Sequence, residues 1–281
     1  MPELPEVETV RRRLAPLLEG RRLESVRVLD KRLVAPLDPV EVADRLEGAT
    51  VERLDRRGKY LLVRLVGGDV LVSHLRMTGN FLHVTDEVLE PQHLRAHATL
   101  DDGSTLLYTD IRRFGTWVVA DEAGADSYLA ARLGPEPLGD GFSSAALARA
   151  FAKRRVAVKA ALLDQKVVAG VGNIYADEAL FRARVHPLAH ASDLGRPAVG
   201  RVVDAVREVL AEGIEAQGST ISDFRTPSGG YGSMQERFRV YGRDGEPCET
   251  CGAVIVRTVV GGRGTHFCPR CQRRPRASRS R

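Results

Sequence analysis

Chemistry is most legible at the carboxyl end, where Cys248-x2-Cys251 and Cys268-x2-Cys271 stand sixteen residues apart. Two thiol knuckles at this spacing close a tetrahedral zinc site. They are all the cysteines of the chain, so none is left for a disulfide elsewhere, and inside a cell a thiol tetrad holds metal more readily than it oxidises. Four protein ligands leave no open position for water or substrate, so the expectation is one structural Zn(2+) ion and no organic cofactor. A disulfide pair or redox dithiol is the competing reading. Between the knuckles, residues 254–260 and 265–267 flank Gly261-Gly262-Arg263-Gly264, a predicted β-hairpin whose tip holds one arginine between glycines. That arginine suits a phosphate; it also fits a turn that is merely basic.

At the other end, removal of Met1 turns Pro2 into a terminal secondary amine. An α-amino group starts at a pKa of about 7.7–8.0, below lysine, so more of it is unprotonated at neutral pH. The positive end of a following helix lowers that value, while Glu3 and Glu6 raise it. On residues alone, proline followed by glutamates is also ordinary helix capping.

These residues need a scaffold. Val7, Val10, Leu14, Leu17 and Leu18 recur at helical spacing, and Gly20 ends that helix. From about 23 to 120 the texture is short β-rich runs: 25–29, 60–66, 70–75, 96–100, 105–108 and 117–120. Gly67-Gly68-Asp69 and Asp101-Asp102-Gly103 supply turns. The expected N-terminal domain, 1–132, is an antiparallel sandwich or barrel with the helix packed on it. Residues 133–142 read as a linker. A helical domain spans 143–235, with Ser143 and Ser144 capping a helix over 145–154 and further helices over 159–164, 174–182 and 198–216. Its glycine-rich 218–235 segment reads as a functional lid or a slack connection. The finger occupies 236–272, and a basic tail, 273–281, is expected to be disordered and is either a phosphate-holding or a solubilising segment.

With 281 residues and 43% apolar composition the chain can bury a substantial core. A formal charge of +5 and a pI near 9.2 favour a polyanionic partner. Nothing resembles a signal peptide or the ~20-residue apolar run of a membrane span, so a cytoplasmic location is expected.

In chain order stand Met-Pro-Glu-Leu-Pro-Glu-Val-Glu-Thr, Gly58-Lys59-Tyr60-Leu61-Leu62, His74-Leu75-Arg76-Met77-Thr78-Gly79, Arg112-Arg113-Phe114-Gly115, Gly170-Val171-Gly172-Asn173-Ile174-Tyr175-Ala176-Asp177-Glu178 and the finger. Over residues 1 to about 272 these six blocks closely resemble the bacterial formamidopyrimidine-DNA glycosylases, the 8-oxoguanine DNA glycosylase/AP lyase family. The resemblance implies an α+β fold: an N-terminal helix on an antiparallel β-sandwich, then a helical domain with a helix-two-turn-helix and a four-cysteine β-hairpin zinc finger. It implies a monomeric enzyme of base excision repair that removes 8-oxoguanine and formamidopyrimidines through a Pro2 Schiff base, then cuts the strand by β,δ-elimination. Its partner is double-stranded DNA containing an oxidised base or abasic site, lying between the two halves, with no membrane; its place is the bacterial cytoplasm, at the nucleoid.

Residue by residue, the same resemblance gives Pro2 the nucleophile's role and Glu3 the proton transfer that opens the sugar. Lys59 contacts the lesion and assists β-elimination, and Arg263 assists δ-elimination. His74, His93, Arg112, Arg155 and Asn173 contact DNA, while Met77, Arg112 and Phe114 fill the space left by an extruded nucleotide. Taken singly, they read as a strand-edge lysine, solvated cations and core apolar side chains.

Ile111 stands where the family often has proline, and Arg76 where glycine is common. Residues 220–234, with Pro227-Ser228-Gly229-Gly230-Tyr231, are not diagnostic and leave lesion preference open. An endonuclease VIII-like glycosylase for oxidised pyrimidines is the nearest alternative; the opening Pro-Glu-Leu-Pro-Glu and the Met-Arg-Phe triad argue against it. A noncatalytic DNA-damage-binding protein is the alternative of a different class.

Overall fold

A computed structural model describes residues 1–85, 91–220, 225–227 and 229–274. Helix α1 (Leu4–Leu18) begins at a reciprocal capping box in which the Glu6 carboxylate accepts the Glu3 backbone N–H at 2.8 Å. Pro5 sits in the first turn, where no intrahelical N–H is lost. Then follow β1 (Leu23–Val28), α2 (Lys31–Val34) and α3 (Pro39–Leu46), the last two capped by the side chains of Asp30 and Asp38. Seven strands come next: β2 (Val51–Arg57), β3 (Tyr60–Leu65), β4 (Asp69–His74), β5 (Gly79–Val84), β6 (Leu94–Leu100), β7 (Thr105–Asp110) and β8 (Thr116–Asp121). Helix α4 (Glu122–Ala130) closes the run.

The strands form two antiparallel four-stranded sheets, in the orders β1-β6-β7-β5 and β2-β3-β4-β8. Val26, Phe81, Ala96 and Tyr108 from the first sheet pack with Leu54, Leu61, Val63 and Trp117 from the second. The apolar row of α1, Val7, Val10, Leu14 and Leu18, joins the same core. This is the expected sandwich with its helix, and the β2–β3, β3–β4 and β6–β7 pairs are antiparallel because their connections are too short for parallel crossovers.

The remaining elements are α5 (Ser144–Phe151), α6 (Val158–Leu163), α7 (Asn173–Arg182), α8 (Arg196–Glu215), β9 (Val256–Val260) and β10 (Arg263–Phe267). Ser143 caps α5, its hydroxyl accepting Ala146 N–H at 3.2 Å. The chain divides into two compact units, Met1–Ala131 with Gly213–Gln235, and Arg132–Glu212 with Glu236–Arg281. Packing therefore groups the described residues of 213–235 with the sandwich, whereas the sequence pattern grouped them with the helices; residues 221–224 and 228 of the expected lid or connection lie outside the described residues. The tie is local: Glu6 holds Ser219, and His83 N–H donates to the Pro227 carbonyl at 3.1 Å.

The 133–142 stretch has no helix or strand but is fixed, because Arg207 on α8 donates to the carbonyls of Pro137, Gly139 and Phe142. Among the described residues no helix is long and apolar enough to cross a membrane. The expectation of a disordered tail falls largely on 275–281, outside the described residues.

Candidate active site

Pro2 and Glu3 are buried at the start of α1. Glu6 is the fastener there: one carboxylate oxygen takes Glu3 N–H, and the other takes the N–H and hydroxyl of Ser219 at 2.7 and 3.1 Å. The N-terminus is thereby tied to the neck of the glycine-rich segment. Gly218 makes this possible: at φ +80 it is left-handed, and an added Cβ would lie 2.8 Å from Glu6 Cγ.

Lys59 is buried in the two-residue turn of the β2–β3 hairpin, behind left-handed Gly58. That turn is bolted to α1 through Arg56, which donates to Gly58 O at 3.0 Å and to Glu8 at 3.1 Å. Burial opposes the Glu8 charge, yet hydrogen bonds from Arg11 and Arg12 and the charges of Arg11 and Arg56 prevail and bring its pKa down to about 2. His74 ends β4 with its ring edge-on to Tyr60 at 4.6 Å. Burial, then the charges of Arg76 and Lys59, lowers its pKa to about 3. Its Nδ1 accepts Arg76 N–H at 2.9 Å, which leaves the proton of the neutral ring on Nε2.

Met77, Arg112 and Phe114 come together although they belong to two loops. The Arg112 guanidinium lies 4.7 Å from the Phe114 ring centroid and donates to Met77 Sδ at 3.0 Å. Arg112 and Phe114 are exposed and Met77 half-buried, so the core reading of the two apolar residues does not describe their position. Arg113 does different work: it clamps buried Asp30 through two hydrogen bonds of 2.6 and 2.7 Å, and those bonds lower the Asp30 pKa despite its burial. Beneath the loops, a Cβ at either Gly79 or Gly115 would collide with the Tyr108 hydroxyl. His93 is exposed, with a left-handed φ of 66.

In the second unit, Arg155 is exposed. Asn173 opens α7, and one of its side-chain N–H groups donates to Gly264 O at 3.0 Å. Lys159 Nζ reaches Gly264 O, Thr265 Oγ1 and Asp177 Oδ1 at 2.9, 2.8 and 2.7 Å, and Asp177 Oδ2 accepts His266 N–H at 2.9 Å. Lys159 and Asp177 are fully buried. The sequence reading missed this mooring of the hairpin; its one signal was a lysine among apolar residues in the α6 pattern. Gly261 and Gly262, at φ 56 and 74, make the turn, and exposed Arg263 begins the return strand opposite Val260. Arg263 is therefore beside the apex and not at it, since both left-handed turn positions are taken by glycine.

The four cysteine sulfurs lie within 4.8 Å of one another, with Cys248–Cys271 at 3.9 Å and Cys251–Cys268 at 3.5 Å. Zinc with bonds of about 2.3 Å spaces tetrahedral sulfurs about 3.8 Å apart, so the donor set fits one structural Zn(2+). Phe181, Val240 and Ile255 pack around it.

Comparison with known proteins agrees with this architecture. Residues 1–117 match the formamidopyrimidine-DNA glycosylase N-terminal domain, 133–225 the H2TH domain of that glycosylase, and 245–274 the zinc finger found in FPG and IleRS. A formamidopyrimidine-DNA glycosylase of Heliobacterium modesticaldum is 48% identical over 277 residues, covering 97% of this chain and 100% of the relative. A Lactococcus lactis FPG mutant in complex with Fapy-dG containing DNA superposes with a TM-score of 0.92 at 36% identity, over 97% of this chain and 100% of that one. Lactococcus lactis Fpg with abasic site containing DNA gives 0.91 at the same identity and coverage. With α1 on its sandwich, the α7 start moored to the hairpin and the cysteine tetrad all in place, the chain belongs to the formamidopyrimidine-DNA glycosylase family.

Proposed function

We propose that the protein is a bifunctional DNA glycosylase and AP lyase that excises oxidised purines from duplex DNA and then nicks the strand. The observation that carries this reading is the Met77–Arg112–Phe114 assembly, with Arg112 and Phe114 exposed and Met77 half-buried beside them, held in the unit that also carries Pro2, Glu3 and Lys59. A cation stacked on a ring beside a thioether suits the gap left when a nucleotide leaves the helix, with Arg112 facing the orphaned partner. The Fapy-dG and abasic-site DNA in the Lactococcus lactis complexes support the same substrate class.

With Met1 removed, the Pro2 nitrogen attacks C1′ and the bond from C1′ to the base breaks, the base leaving with a proton. Glu3 protonates the ring oxygen as the sugar opens, leaving an iminium between Pro2 and C1′. The iminium acidifies the C2′ hydrogen; its loss expels the 3′ phosphate, and a second elimination releases the 5′ phosphate. Lys59 assists the first elimination and Arg263 the second. His74, His93, Arg112, Arg155 and Asn173 hold the DNA, His74 as a neutral Nε2–H donor and Asn173 by aligning its helix start. The zinc holds the finger together and takes no part in the chemistry. The enzyme acts as a monomer at the bacterial nucleoid.

Borohydride reduces such an iminium to a permanent cross-link. The native chain should cross-link to duplexes bearing 8-oxoguanine or an abasic site, and Pro2→Gly should not, while still binding duplex. A native chain that binds damaged DNA without cross-linking would be a damage-binding protein and end the enzyme reading. Comparable loss of binding in Pro2→Gly would count against a dedicated nucleophile. Excision across 8-oxoguanine, formamidopyrimidine and oxidised-pyrimidine duplexes fixes the lesion preference.

A further inference from the structure

Asp110 ends β7 with only 1% of its surface exposed, an expensive place for a carboxylate unless donors surround it. They do. Oδ2 accepts Gly115 N–H at 2.7 Å; Oδ1 accepts Arg112 N–H at 3.2 Å and the Thr78 hydroxyl. Thr78 Oγ1 in turn accepts Arg112 N–H at 3.0 Å. The backbone of Asp110 extends the hub, its N–H donating to the His93 carbonyl at 3.0 Å and its carbonyl accepting Arg95 Nε at 2.9 Å. One residue thus joins the segments that bear Met77, His93, Arg112 and Phe114.

We propose that Asp110 is the positioning residue of the wedge: it fixes both loops before DNA arrives, so nucleotide extrusion does not also have to order them. The inference rests on the function proposed above. A carboxylate is required because three donors converge on two oxygens; an amide would turn its own NH2 toward one of them.

The test compares single-turnover excision of 8-oxoguanine from a duplex with borohydride trapping on a single-stranded abasic oligonucleotide, which needs no extrusion. Asp110→Asn should lose about ten- to hundredfold on the duplex and trap the single strand as the native enzyme does. Thr78→Val should lose less in the same direction, and Thr78→Ser should restore the native rate. Should Asp110→Asn fail to fold, the Thr78 pair carries the test. Equal losses on both substrates would mean a general structural role and overturn the proposal, as would native duplex excision in Asp110→Asn or in Thr78→Val. A native enzyme that does not trap at all sinks the glycosylase reading and this inference with it. Normal trapping with an indifferent Asp110 sinks only the inference.

Discussion

His74 is a histidine that does not act as a cation. With its pKa at about 3, it is neutral across the physiological range, and any phosphate contact it makes is that of an uncharged Nε2–H. Such a contact releases no counterion. His74→Asn should therefore weaken duplex binding about threefold to tenfold without altering the slope of log affinity against log salt, measured by fluorescence anisotropy between pH 6 and 8. A shallower slope in the variant would show that the ring carries charge on DNA. Arg112 and Arg113 make a related point. Adjacent and identical in type, they part because one backbone turn sends Arg112 to Met77 and Phe114 and the other guanidinium to Asp30. The sequence names the pair but does not show which member is structural.

At the scale of elements, α1 is held to the sheet by charge as well as by its apolar row. Glu8 gathers Arg11, Arg12 and Arg56. Its folded pKa, about 2, lies below the ordinary glutamate value of about 4.5. The stabilisation is thus present above about pH 4.5 and is lost as pH falls toward 2. Glu8→Gln should flatten that part of the acid-unfolding curve and lower stability at pH 7 by about 2 kcal/mol, after allowance for solvent screening; urea titrations at pH 7 and pH 3 would check both. A pH-independent difference between the two proteins would contradict the ionic account. The same charges hid β2 from sequence reading. Five of its seven residues, Val51–Arg57, are charged, yet Val51 and Leu54 face the core while Arg53 and Asp55 pair outside. Helix α3 was missed too, although Asp38-Pro39 marks its start. Periodicity found the long helices because a full apolar stripe is present there; it failed where an element is short and half its faces are ionic.

Across the whole molecule, the sequence carried the architecture and the metal site further than it carried the active site. Cysteine spacing alone specifies the tetrad, since four ligands at fixed intervals have few alternatives. Pro2 is different: a helix cap and a nucleophile have the same local sequence, and only the order of distant blocks separates them. Glu6, Asp110 and Lys159 were not legible because their roles depend on partners 213, 32 and 106 positions away. The two units also permit a clean test of the finger. The single tryptophan, Trp117, lies in the core of the first unit. Chelating the zinc, or Cys268→Ser, should collapse the finger and weaken DNA binding while Trp117 emission keeps its wavelength. Unchanged affinity in the zinc-free protein would remove the finger's role in binding. The wedge loops carry a last consequence. Their backbone is set by Asp110, Gly79, Gly115 and Tyr108 underneath, while the side chains of Arg76 and Ile111 project outward and are exposed. On the function proposed above, mutation at those two tips would explore new pairings with the base opposite the lesion without disturbing the mount, so selectivity and foldability would be free to drift apart.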